Sequence, residues 1–165
     1  MRIATAMLVS GMFLLHATLA VGQESIGDFY LFERPDPASG VDLTSITTLA
    51  DESFVSGAGG LTFRCAKAGF ELVVTASYLG RRPSTPVRYS FGGEERSPAA
   101  WTLRPSGMAA VAPPEVREDF VNRALEASAA GESAVIRVSD FQMSSHTYTF
   151  HLDGLAEALA RLSCR

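Results

Sequence analysis

The end of the chain restricts the fold more than any other stretch. Residues 147–152, Thr-Tyr-Thr-Phe-His-Leu, alternate in polarity and run straight into a leucine stripe. Leu152, Leu155, Leu159 and Leu162 recur at spacings of three, four and three, which places them on one face of a helix. Asp153 stands where an N-cap belongs, its carboxylate free to accept from the open N–H groups of the first turn. Cys164 leaves the stripe, about 200° round from Leu162 on an ideal helix. The sequence therefore predicts a helix that ends near Ser163, after which the chain turns to aim the sulfur elsewhere. The only other cysteine is Cys65, so any intramolecular disulfide ties this tail to the middle of the chain.

Whether such a bond forms depends on the compartment. Residues 1–22 read as a secretory signal peptide: Arg2 supplies the positive start, residues 3–19 are mostly apolar, and Ala20 and Gly22 suit a cleavage site. Cleavage is expected after Gly22, with Ala20 as the alternative; an uncleaved anchor helix is the competing reading. Residues 23–165 are expected to form one soluble domain, long enough for a core of its own. Removing Arg2 takes the formal charge from −4 to −5, which argues against nucleic acid as a partner. Two cysteines in an exported chain suggest a Cys65–Cys164 disulfide; two free thiols or intermolecular bonds are the alternatives.

The rest of the chain reads as short strands with one longer helix. Residues 29–33 are strand-like up to Pro35 and Pro37, while residues 41–50 have a period between strand and helix. The glycine-rich run at 56–60 is a loop, and it lacks the Lys and Ser/Thr that a phosphate cradle requires. Leu61, Phe63 and Cys65 alternate, and residues 70–75 return after Ala68-Gly69, as in a hairpin. Val87, Tyr89 and Phe91 share a face, with Arg88 and Ser90 opposite, and Gly92-Gly93 then turns the chain. Residues 100–103 and 108–112 form a further pair. Pro113-Pro114 opens a helix with Val116, Phe120, Val121, Ala124 and Leu125 on its buried side and Gly131 at its end. Strands at 134–138 and 147–152 complete an α+β fold: an antiparallel β-sheet with two helices, one internal and one C-terminal, and a single disulfide.

Residues able to do chemistry are sparse. The exported part holds two histidines, His146 and His151; five apart on a strand, they face opposite sides and cannot share a metal. Asp140 with His146 could make a dyad across a hairpin, or simply a hairpin with polar ends. Glu94-Glu95 falls in a turn, and Glu115, Glu118 and Asp119 match the positive end of a helix dipole. No catalytic residue, metal site or cofactor is expected. Arg88, Tyr89 and Trp101 are the candidates for a binding surface, with core packing as the default for Trp101, a single Trp on an alternating strand. Arg88 could pair with an acidic group on a neighbouring strand or on a partner.

The run Val87-Arg88-Tyr89-Ser90-Phe91, then Trp101 and Gly107, and the ending Phe150, Gly154-Leu155, Ala158-Leu159, Leu162 and Cys164 resemble the VasI/TagO family. The likeness covers about residues 60–165; Gly92 stands where the family pattern has Asp. The resemblance implies a VasI-like α+β domain over residues 23–165 and a non-enzymatic periplasmic accessory protein of a type VI secretion system. Its partner would be a protein of the cell envelope or the secretion apparatus, with no nucleic acid and no membrane span after signal cleavage. The other readings are a stand-alone periplasmic binding or inhibitor protein and a small cell-envelope hydrolase.

Overall fold

The structure, a computed structural model, describes residues 24–51 and 59–165. The expected signal peptide, and residues 56–58 of the glycine-rich loop, lie outside the described residues. Strands β1 (Glu24–Ile26), β2 (Phe29–Phe32) and β3 (Ser45–Leu49) open the fold. The β4 (Gly60–Ala66) and β5 (Gly69–Thr75) hairpin follows, then β6 (Ser84–Phe91), β7 (Glu94–Glu95), β8 (Ala99–Leu103) and β9 (Ala109–Val111). Helix α1 (Pro114–Ala130) precedes β10 (Ala134–Ser139) and β11 (Ser145–Phe150), and α2 (Leu155–Ala160) comes last.

All strands join one antiparallel sheet in the order β1-β2-β3-β4-β5-β9-β8-β6-β10-β11, with β7 added to β6. The sheet dominates and helix is the minor part, so the expected α+β class holds in that coarse sense. The undecided stretch at 41–50 resolves as β3, where Ile46 is buried between Leu31 and Phe63 of the flanking strands. The two ends of the strand order come together. Asp28, in the β1–β2 turn, exchanges backbone and side-chain hydrogen bonds with Asp153, and the Asp51 N–H reaches the Thr149 carbonyl at 3.1 Å.

The curl encloses the core. Phe120 of α1 meets Phe63 of β4 and Tyr89 and Phe91 of β6, with ring centroids 6.3, 4.9 and 5.1 Å apart. Such tilted and edge-on pairs add to the burial of large rings. Phe120, Val121 and Ala124 of α1 are buried as expected; Val116 and Leu125 are only partly so, and Ala127 joins the buried side. Gly131 ends α1 in the left-handed conformation, returning its N–H to Ala127 and Ser128.

The tail follows its leucine pattern but not its expected cap. Leu152, Leu155, Leu159 and Leu162 are all buried. Asp153 does not cap α2: Gly154, at φ 78°, is the residue before the helix, and no side chain caps it. Asp153 is instead held by Asp28. The helix stops at Ala160 rather than near Ser163, and the chain turns Cys164 onto β4. Cys65 and Cys164 are bonded with Cα atoms 5.6 Å apart, and Cys65 lies on the buried side of β4. No helix among the described residues is long and apolar enough to cross a membrane.

Candidate functional site

The three residues expected to form a binding surface do not share one. Alternation along β6 points Arg88 outward and Tyr89 inward, and Trp101 of β8 is fully buried. Tyr89 is a core residue, which corrects the surface expected from it, and Trp101 takes the core position that was its default. The Tyr89 hydroxyl donates to Asp119 at 2.7 Å, and burial together with that carboxylate raises its pKa well above the ordinary phenol range. Arg88 pairs with Glu95 of β7 at 3.1 Å; Arg137 of β10 reaches the other oxygen of the same carboxylate. These exposed pairs contribute little to stability individually.

The groups considered for catalysis hold local structure. Asp119 joins α1 to Tyr89 and Arg96, and Glu94 pairs with Arg123 of α1. His151 pairs with Asp51 at 3.2 Å and is well exposed. His146 and Asp140 do meet, with Nε2 3.0 Å from Oδ2. The other oxygen, Oδ1, accepts the N–H groups of Gln142 and Ser144, each at 2.8 Å. The hydrogen bond from His146, with those two N–H groups, holds the Asp140 carboxyl below its usual range. Asp140 thus organises the β10–β11 turn, with His146 bracing it.

That turn carries one half of an exposed pair of aromatic rings. Phe141 and Met143, at 55% and 69% exposure, project from it, while Tyr78 and Met108 come from two other loops. The Tyr78 and Phe141 rings lie 5.6 Å apart. The loops are tied by backbone hydrogen bonds from Ala76 to Met108 and from Leu79 to Gly107. Arg82 donates to the Ser139 and Asp140 carbonyls and reaches the Met143 sulfur. Two glycines permit this approach. A Cβ on Gly107 would stand 2.7 Å from the Tyr78 ring, and one on Gly80 would stand 2.7 Å from the Phe141 Cβ. Met143 itself has φ 65°, an uncommon conformation for a residue with a side chain, and the fold maintains it where the side chain is exposed.

A second feature lies on the outer face of the sheet. Phe32, Ser45, Arg64 and Glu71 are cross-strand neighbours from β2 to β5. Around this row opens a groove of about 980 Å³, whose lining includes Pro35, Leu43, Lys67 and Arg104. Arg64 and Arg104 both donate to one oxygen of Glu71, at 2.7 and 2.5 Å. Burial favours the neutral carboxyl, but the two guanidinium groups outweigh it and hold the Glu71 pKa below its ordinary value.

Sequence reasoning missed both features. The apolar cap draws four residues from three loops, two of them from the β10–β11 turn, and none belongs to a periodic segment. The one legible sign was a pair of large apolar residues, Phe141 and Met143, flanking Gln142 in an otherwise polar turn. No protein-family model, curated protein or solved structure matches the chain.

Proposed function

We propose that this is an exported, non-catalytic binding protein: an accessory factor of a type VI secretion system, working in the periplasm through contacts with a protein of the envelope or secretion apparatus. In this reading residues 1–22 direct export and are removed, and residues 23–165 act as one domain. The disulfide fits an oxidising compartment. The resemblance carried by Phe150, Gly154-Leu155, Ala158-Leu159, Leu162 and Cys164 supplies the system, and type VI sheath and baseplate genes beside this one would support it.

The observation that carries the binding role is the apolar cap. Tyr78, Met108, Phe141 and Met143 are large, exposed and built by loops that are tied to one another. Exposed apolar patches of this kind mark interaction sites. Methionine and aromatic residues are enriched at the centre of interfaces, and methionine adapts to a partner's shape. The test is site-specific photo-crosslinking in the exporting bacterium. A crosslinker at position 141 should yield a discrete adduct that Tyr78→Ser abolishes, whereas one at position 88 should yield none. No adduct from 141, or equal adducts from both positions, overturns the proposal.

A further inference from the structure

We propose that the groove on the outer sheet face is a second contact site, and that it takes an extended acidic segment of a partner protein bearing an apolar side chain. The site is separate from the cap and stands on different observations. The first is charge. The chain is acidic overall, yet the groove is lined by Arg34, Arg64, Lys67 and Arg104 against only Glu33 and Glu71. Lys67 is the sole lysine of the sequence. Glu33 is committed to Arg161 at 2.8 Å, and Glu71 to both Arg64 and Arg104. Two guanidinium groups on one carboxylate leave a positive charge in excess, and guanidinium is the group best shaped to receive a further carboxylate.

The second observation is shape. From Phe32 on β2 to Glu71 on β5 the groove crosses three strand spacings, about 14 Å at roughly 4.8 Å each. An extended chain rising about 3.3 Å per residue covers that distance in four or five residues. Phe32, 40% exposed, lines it with Pro35 and Leu43, and the row runs from there to the arginines. A segment with an apolar residue a few positions from its carboxylates matches both parts. An anionic membrane surface offers similar charge, but a concave groove presents its arginines poorly to a flat layer.

The experiment is selection of a random heptapeptide display library on the oxidised protein. Sequences combining Asp or Glu with Phe, Leu or Tyr should be enriched. A labelled copy of the winning peptide should bind more weakly as salt rises from about 50 to about 500 mM. It should lose about tenfold or more in affinity with Arg34→Glu/Lys67→Glu, whose circular dichroism should match the wild type. Tyr78→Ser/Phe141→Ser should leave peptide binding unchanged, so failure of the groove and failure of the cap are distinguishable. Enrichment without acidic residues, or equal affinity for Arg34→Glu/Lys67→Glu, overturns the inference. So does binding to phosphatidylglycerol vesicles through Arg34 and Lys67 with no peptide selected.

Discussion

Replacing Cys164 with serine tests how the tail is held to the sheet. The bond spans 99 positions, and for a loop of about 100 residues chain entropy gives roughly 4.7 kcal/mol. Residual structure in the unfolded chain lowers that figure, so about 2–4 kcal/mol is expected. At roughly 3 °C per kcal/mol for a domain of this size, the melting midpoint should fall by about 6–12 °C. The sharper readout combines this change with Leu162→Ala. Leu162 is 3% exposed, and truncating such a leucine costs about 2–5 kcal/mol when its surroundings stay in place. Helix α2 has six residues, too few to persist alone in water. The polar ties of the tail, Arg161 to Glu24 and Glu33 and the Ser163 hydroxyl to Asp42, are exposed and weak. Without the sulfur bridge the tail should therefore leave the sheet before the sheet unfolds, and Leu162→Ala should then cost little. Urea unfolding of the four proteins, wild type, each single variant and the double variant, gives the coupling directly. The cost of Leu162→Ala should fall to less than half in the Cys164→Ser background. An equal cost in both backgrounds would refute the idea that the bond is what keeps the tail docked.

Acid should destabilise the fold through Glu71 and Asp140. Both carboxyls have folded pKa values below their ordinary ones, so their contribution is complete above the unfolded carboxylate range, about pH 4–5. It should be lost as pH falls through the lower folded values; Glu71→Gln should flatten the loss of melting temperature below about pH 4, and an unchanged slope would contradict the assignment. Processing on export should leave a mature chain beginning at Gln23 or, with the alternative cleavage, at Val21. N-terminal sequencing of periplasmic protein checks this, and Met1 retained on membrane-associated protein would contradict it.

The strands and the tail were legible because burial imposes a period. Leu61, Phe63 and Cys65 alternate and all face the core, and the leucines from 152 to 162 follow helical spacing onto one buried face. The disulfide was legible from its chemistry, since a chain with two cysteines has one possible internal pairing and the expected export would favour it. The N-cap was misplaced because Asp153 has a competing partner 125 positions away in Asp28, which no local pattern reveals. Tyr89 and Trp101 were candidates for the surface because an aromatic ring suits either face of a strand. The strand's phase, fixed by Val87 and Phe91, decides the matter and puts Tyr89 inside. Arg88 found the acidic partner expected of it, in Glu95. The cap and the groove are made by residues brought together from separate loops and strands, so their composition could be read but their adjacency could not. Gly80 and Gly107 show the same limit: the lack of a side chain makes room for Phe141 and for the Tyr78 ring, each from another loop.

The central claim is that the protein acts by contact through its loop-built cap and not by catalysis. The most direct measurement is competitor killing by the source bacterium, with the chromosomal gene deleted and variants supplied in its place. His146→Gln/His151→Gln should restore killing to within a few-fold of wild type, because the histidines brace Asp140 and Asp51 at the surface and a glutamine amide can do the same. Tyr78→Ser/Phe141→Ser, exported in equal amount, should not restore it. Loss of about a hundredfold or more with the histidine variant, on the scale of a missing general base, together with full activity of the cap variant, would contradict the claim.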